Sequence, residues 1–225
     1  MSVRASDLAA PSPGTDASAA RPGRWRNPAL YLAAGWSGFF VMGVELLGGR
    51  LMAPYFGSSI FVWGALIAVF MAALAVGYLI GGQLSLRAPS PVGLGLLLMA
   101  EAILALPIVL FGDAVFDALS FAIADPRYGA LLAALLMFGA PTLFSGMVSP
   151  YAVRLLIRDL DRSGQSAGRL YFASTLGSAG GTILTTFYLV LLFEIDTIVF
   201  GLIAISFAIG AALCAMDRRR PRVKA

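Results

Sequence analysis

The sequence predicts an all-α, polytopic transmembrane bundle of about six helices, and two observations support this prediction. Of the 225 residues, 59% are hydrophobic and 12% are charged, whereas soluble domains contain roughly 45 to 50% apolar residues. Apolar runs recur along the chain, and a run of about 20 such residues crosses a hydrocarbon core of about 30 Å as a helix. We therefore expect the lipid bilayer to be the main partner of this chain.

The predicted membrane domain covers residues 25–216. Residues 1–24 are rich in Ala, Ser, Pro and Gly, a composition that buries too little apolar surface to fold, so we expect a disordered cytoplasmic tail there. Residues 217–225 form a basic cytoplasmic tail. The six predicted spans are Ala29–Ala53, Ile60–Leu84, Val92–Gly112, Gly129–Ser149, Ala167–Leu192 and Thr197–Met216.

Two longer connections separate these spans. Residues 113–128 mix apolar side chains with Asp113, Asp117 and Asp125, which predicts a short helix lying on the outer membrane surface. Residues 151–165 carry several charges and predict an amphipathic cytoplasmic connection.

The distribution of Lys and Arg predicts the orientation, because short cytoplasmic loops carry the excess of positive charge. Of 16 basic residues, Arg127 lies on one side and Arg50 lies inside a span. An even number of spans with both termini in the cytoplasm fits this count, and we expect a multi-pass protein of the bacterial inner membrane. The 14 remaining basic residues share the other side: Arg4, Arg21, Arg24, Arg26, Arg87, Arg154, Arg158, Arg162, Arg169, Arg218, Arg219, Arg220, Arg222 and Lys224.

A weak internal similarity relates the ends of the first and fourth spans. Residues 51–55 read Leu-Met-Ala-Pro-Tyr, and residues 147–151 read Met-Val-Ser-Pro-Tyr. Three spans separate the two copies, so they would face opposite sides of the membrane, as in the inverted repeats of many transporters. This favours a 3+3 inverted repeat, although an accidental similarity explains it equally well.

Three ionisable residues lie within predicted spans, namely Glu45, Arg50 and Glu101. Such residues are costly in a membrane and are candidates for substrate binding. Glu101 lies near the middle of its span, so its carboxyl group is protonated, paired with a cation or exposed to a wet cavity. In the alternative interpretation, Arg50 extends to the interface and the two glutamates form structural hydrogen bonds.

Aromatic residues near span ends are a further candidate class. Anchoring at the membrane interface explains most of them. An aromatic face also binds organic cations, so Trp63 and Tyr171 are candidates for an amine site.

Several functional classes are disfavoured. The chain has no histidine and a single cysteine, Cys214, which leaves no familiar metal or cofactor ligand set and no disulfide. The net charge of +4 is spread over span ends, so we expect no nucleic-acid partner. No nucleophile and base set is recognisable, so an intramembrane enzyme is the least favoured class.

Five segments, in order along the chain, resemble the membrane part of the bacterial fused MFS/spermidine synthases. Together they extend over residues 30–195, which is more specific than any single motif. The segments are residues 45–50, residues 53–59 with Trp63, residues 77–82, residues 145–151 with Arg154, and residues 168–178.

This resemblance implies a membrane protein related to polyamine metabolism. Family members carry a cytoplasmic synthase-like domain on a Rossmann-like fold, and this chain has no such segment after its sixth span, so we expect no aminopropyl transfer by this polypeptide alone. Two hypotheses follow. The first is transport or handling of a small, cationic, polyamine-like metabolite; the alternative is a membrane anchor or assembly subunit for a separately encoded spermidine synthase-like protein.

Overall fold

The computed structural model describes residues 26–87, 89–157 and 163–218, and all regular structure in these ranges is helical. The predicted tail of residues 1–24, residues 219–225 of the basic tail and residues 158–162 of the predicted cytoplasmic connection lie outside the described residues. The helices are α1 (Arg26–Phe56), α2 (Ile60–Leu84), α3 (Pro91–Ala122), α4 (Pro126–Leu156), α5 (Ser163–Leu192) and α6 (Ile195–Arg218).

Local sequence explains where several helices begin and end. The Ser90 hydroxyl accepts a hydrogen bond from the Gly93 amide at 3.0 Å, and Pro91 follows it at the start of α3; both are favourable at a helix N-terminus. Asp125 and Pro126 do the same for α4. Gly57 ends α1 with a positive φ of 79°, a conformation that glycine adopts without strain.

The prediction of about six helices is confirmed, because the described part of the chain has six helices that are long and apolar enough to cross a membrane. The prediction of a separate surface helix at residues 113–128 is wrong. Instead, α3 continues to Ala122 and only three residues precede α4. Phe116 is fully buried in the bundle whereas Asp113 and Asp117 are exposed, so this amphipathic segment gains packing by extending the helix.

Successive crossings give the bundle two chemically different ends. At one end of the bundle, α1, α3 and α5 begin and α2, α4 and α6 end. We call it the basic end, because the exposed residues Arg87, Arg154 and Arg169 lie there. The opposite end, called the acidic end, carries mostly carboxylates. Its charged residues are Asp113, Asp117, Asp125, Glu194 and Asp196, together with Arg50 and Arg127.

Helix packing follows the small residues. α2 packs along α4 where Gly77 meets the backbone of Gly146, and α5 packs along α1 where Gly177 meets the backbone of Gly35. Gly95 of α3 and Gly210 of α6 meet in the same manner. Each helix of the first half thus packs closely, through glycine, against one helix of the second half. The inverted repeat itself stays a prediction.

One irregular turn interrupts α5. Residues Thr185–Leu189 adopt a π-helical turn between two α-helical stretches. Such turns are rare and often occur at functional sites. Here the turn brings the Thr185 hydroxyl to the small residue Gly43 of α1.

Candidate functional site

Large apolar side chains cover the outside of the bundle. Leu79, Phe172 and Leu191 are each more than two-thirds exposed, and the most apolar windows of the six helices have mean hydropathies between 1.5 and 2.5. This surface is stable against lipid and unfavourable in water. The chain is a multi-pass integral membrane protein.

A carboxyl group lies at the centre of this bundle. Glu101 of α3 is fully buried, and its Oε1 atom accepts a hydrogen bond of 2.6 Å from the hydroxyl of Ser206 in α6. Its Oε2 atom has no hydrogen-bond partner among the described residues. Glu101 lies ten residues after Pro91, about 15 Å along the helix, which is half of a hydrocarbon core of about 30 Å.

Two more hydroxyl groups extend this polar contact to neighbouring helices. Ser145 of α4 is close enough for a side-chain interaction with Glu101. Its Oγ atom lies 2.8 Å from the Oγ atom of Ser37 in α1, and the Ser37 hydroxyl also reaches the Ser145 carbonyl oxygen at 3.1 Å. Four helices therefore contribute one polar side chain each to a cluster that we call the central polar cluster: Ser37, Glu101, Ser145 and Ser206.

Glycines explain how four helices can converge here. Gly38 follows Ser37 and lies against Ser174 and Ser178 of α5, while Gly146 follows Ser145 and lies against Leu74 of α2. A side chain at either glycine would push the helices apart. The serines can therefore meet in the interior because their neighbours leave room for close contact.

The central polar cluster contains no positive charge. Within the described ranges, the ion pair that the structure shows joins Arg127 to Asp125, with 3.1 Å between Nε and Oδ1, far away at the acidic end. An ionised carboxylate without a cation is very unfavourable inside a membrane. Glu101 is therefore suited to carry a proton or to bind a cation, and a single carboxyl group is enough for either role.

Among the described residues, no group of three or more His, Cys, Asp or Glu side chains could hold a metal ion. The carboxyl group of Glu101 has serine hydroxyls as its polar neighbours, and these are neutral donors that can also accept hydrogen bonds. The chemistry available at the cluster is therefore hydrogen bonding, proton exchange and the pairing of one carboxylate with one cation.

The other predicted charged residues lie away from this cluster. Glu45 is half-buried on α1, two turns beyond Gly38 on the same face, and Arg50 is exposed near the acidic end. No hydrogen bond or ion pair joins Glu45, Arg50 or Glu101 to one another in the described structure. Their proposed joint role in substrate binding stays a prediction.

The two predicted aromatic residues lie at opposite ends. The Trp63 ring packs over Gly49, next to Arg50 near the acidic end. Tyr171 lies towards the basic end and is 53% exposed. They do not form one aromatic site, so an amine site at either residue stays a prediction.

Sequence reasoning missed the hydroxyl partners Ser37, Ser145 and Ser206. A serine inside an apolar run carries little signal by itself, because it is common in membrane helices. The useful signal was the Ser-Gly pair, which occurs once in α1 and once in α4 at residues 37–38 and 145–146.

A second feature is an apolar cavity of about 330 Å³ between α1, α5 and α6. Trp36 and Phe39 line it and stack on each other with ring centroids 5.3 Å apart. The Trp36 Nε1 atom and the nearby Thr185 hydroxyl are buried without a partner among the described residues. This cavity is suited to an apolar group such as a lipid chain.

Comparison with known proteins gives no family for this chain. No protein-family model matches it, and neither a curated protein nor a solved structure is significantly similar to it.

Proposed function

We propose that this membrane protein transports or handles a small cationic metabolite, with Glu101 as its central acid group. The observation that carries the proposal is the fully buried carboxyl group of Glu101, whose Oε1 atom accepts a hydrogen bond from Ser206 and whose Oε2 atom has no partner among the described residues. A fold seldom retains such a group for stability alone, because a hydrophobic residue there would be cheaper to bury. Ionisable groups at this depth mark substrate or proton pathways.

The burial of Glu101 indicates that the structure is in a closed state. Glu101 has no exposed surface, so a substrate reaches it only after helices separate. The contacts that would have to open are those between glycines and backbone, as at Gly77 with Gly146 and Gly177 with Gly35. Such smooth contacts allow helices to slide with little rearrangement of side chains.

A polyamine-like substrate is the specific form of this proposal. The resemblance of residues 45–63 and 145–178 to the membrane part of fused MFS/spermidine synthases supports it. A primary ammonium group would replace the proton as the partner of Glu101, which suits exchange of protons for amines.

Uptake by reconstituted protein tests the proposal. Purified protein in liposomes would be given radiolabelled putrescine or spermidine with an imposed pH gradient, and initial uptake would be compared with that of Glu101→Gln. The amide cannot exchange a proton or pair with an ammonium group, so we expect at least about a tenfold loss of rate, equivalent to about 1.4 kcal/mol in the barrier.

Asp117→Asn is the matched control. It makes the same carboxyl-to-amide change on the same helix, but at an exposed position near the acidic end. We expect its uptake to equal that of the unmodified protein. Uptake that persists at full rate in Glu101→Gln would contradict the proposed role of Glu101.

We also propose that the basic end faces the cytoplasm, with both termini on that side of a bacterial inner membrane. Arg87, Arg154 and Arg169 lie at this end, and short cytoplasmic loops are enriched in such residues. The 14 basic residues identified along the chain support the same orientation.

The alternative function is a membrane anchor for a soluble spermidine synthase-like protein. The exposed Arg154 and Arg169 at the basic end favour it, since they offer positive charge to an acidic partner surface. Purification of the tagged protein in mild detergent, followed by mass spectrometry, distinguishes the two functions. A stoichiometric soluble partner that is lost in Arg154→Glu favours the anchor, whereas a retained amine without a partner favours transport.

A further inference from the structure

The hydroxyl groups around Glu101 continue towards the basic end. Ser149 lies one turn beyond Ser145 on α4 and is 8% exposed. Its hydroxyl donates to the hydroxyl of Ser174 in α5 at 3.5 Å. Because residues four apart on a helix share a face and differ by about 6 Å in height, one water molecule can bridge Ser145 and Ser149.

This line of hydroxyl groups leads towards Tyr171, which lies one turn before Ser174 on α5. Tyr171 is about half exposed, at 53%. It follows the exposed Arg169 of the basic end by two positions, where membrane-interface water is within reach of its hydroxyl group.

The opposite direction from Glu101 is blocked by apolar side chains. Phe70, Phe116 and Phe138 are each at most 1% exposed and pack together, with ring centroids 5.8 Å apart for Phe70 and Phe138 and 6.3 Å apart for Phe116 and Phe138. The Phe138 ring also closes against Gly48 of α1. We call these three rings the phenylalanine layer.

We propose that, in this closed arrangement of the helices, Glu101 exchanges its proton with the basic end alone, through the hydroxyl groups of Ser145, Ser149 and Ser174, while the phenylalanine layer seals it from the acidic end. This inference rests on the proposed role of Glu101 as the central acid group and adds its sidedness. The polar groups next to Glu101 are the hydroxyls of Ser206 on α6 and Ser145 on α4, and the Ser37 hydroxyl of α1 lies behind Ser145. Among the described residues, Glu101 has no ion-pair partner.

The transfer conserves protons at each step. The O–H bond of the Glu101 acid breaks as a new O–H bond forms on the neighbouring hydroxyl or water oxygen, which releases its own proton to the next oxygen. At the basic end the last oxygen releases a proton to water. The return reaction restores the acid, and serine hydroxyls can act in this way because each both donates and accepts.

Infrared spectroscopy measures this exchange without a transported substrate. Protein in lipid nanodiscs would be moved from H₂O to D₂O, and the shift of the C=O band of its protonated carboxyl groups would be followed in time. The band of Glu101 is the one that disappears in Glu101→Gln. We expect Ser149→Ala and Ser174→Ala to slow its H/D exchange at least about tenfold.

Three variants control for structural effects. Thr175→Val is the matched control, because it removes a hydroxyl from the exposed neighbour of Ser174 and should leave the rate unchanged. Ser149→Thr keeps a hydroxyl group and should retain fast exchange. Phe138→Ala opens the phenylalanine layer and should make exchange fast again in the Ser149→Ala background.

The outcomes separate this inference from the proposed function. Unchanged exchange in both Ser149→Ala and Ser174→Ala, with uptake that still requires Glu101, would overturn the relay and leave the proposed function in place. Absence of any Glu101-dependent acid band would overturn the relay as well, since an ionised carboxylate holds no proton to exchange.

Discussion

Asp125 shows how single residues fix the ends of helices in this protein. Its carboxylate accepts the Arg127 amide at 2.9 Å and the Arg127 side chain at 3.1 Å at the start of α4. The hydrogen bond from the Arg127 backbone N–H, followed by the one from its side chain, lowers the pKa of Asp125 below its usual value. The carboxylate is exposed to water outside the membrane-spanning helices, so this cap can titrate freely.

The cap should be sensitive to acid. A carboxyl group with a lowered pKa in the folded state stabilises the fold at pH values above its unfolded pKa of about 3.9, and this stabilisation is lost as pH falls through the lower folded value. We expect the Arg127 amide resonance to shift below about pH 4 in NMR spectra. Asp125→Asn keeps an accepting oxygen that does not titrate, so an identical pH profile in that variant would contradict this explanation.

The sequence located Glu101 but not its surroundings. A carboxylate in an apolar run is visible by eye, and its depth follows from counting residues. Its partners come from helices 105 residues away in the case of Ser206, and nothing in local sequence specifies which turns of two distant helices will face each other. The sequence also suggested four other site residues, but the structure places them away from Glu101. These residues are Glu45, Arg50, Trp63 and Tyr171.

At the scale of elements, helix contacts depend on which face a glycine occupies. An added Cβ atom at Gly81 of α2 would lie 2.6 Å from the Cα atom of Met147 in α4, whereas an added Cβ atom at the neighbouring Gly82 would meet no described atom of another helix within 4 Å. Both positions are glycines on α2, but only Gly81 faces α4.

Alanine substitutions at this pair should therefore have opposite effects. We expect Gly81→Ala to destabilise the protein by about 1–3 kcal/mol because the backbone of α4 must move. Gly82→Ala should be neutral or stabilise by about 0.5–1 kcal/mol through the higher helix propensity of alanine. Thermal unfolding in detergent measures both, and equal melting temperatures for the two variants would argue against close α2–α4 packing.

The six helices themselves could be predicted from hydropathy, and the predicted centres agree with the structure except in α3, which continues past Gly112 to Ala122. The ends of the helices were harder to predict, because hydropathy indicates which residues lie in the hydrocarbon region and a helix can continue beyond it. The segment after Gly112 contains three aspartates and looked like a separate surface helix, but Phe116 and Leu119 continue to pack on the bundle. The helix-breaking signal comes only at Asp125 and Pro126.

At the scale of the whole molecule, the separation of charge between the two ends predicts its orientation. Cysteine labelling in a Cys214→Ser background tests this. Ser59→Cys lies in the exposed α1–α2 connection at the acidic end, and Leu86→Cys is exposed between α2 and α3 at the basic end. We expect an impermeant maleimide to label Ser59→Cys in intact cells and Leu86→Cys only after permeabilisation; the reverse pattern would contradict the orientation.

At mid-membrane depth, the proton that we propose for Glu101 would lie within the transmembrane electric field. A full elementary charge that crosses the membrane changes its energy by about 2.3 kcal/mol per 100 mV. A proton that leaves Glu101 for the basic end crosses roughly half of that potential, or about 1.2 kcal/mol per 100 mV. If the basic end lies on the electrically negative cytoplasmic side, the membrane potential would favour release of the proton. The protonation of Glu101 would then depend on the size of that potential.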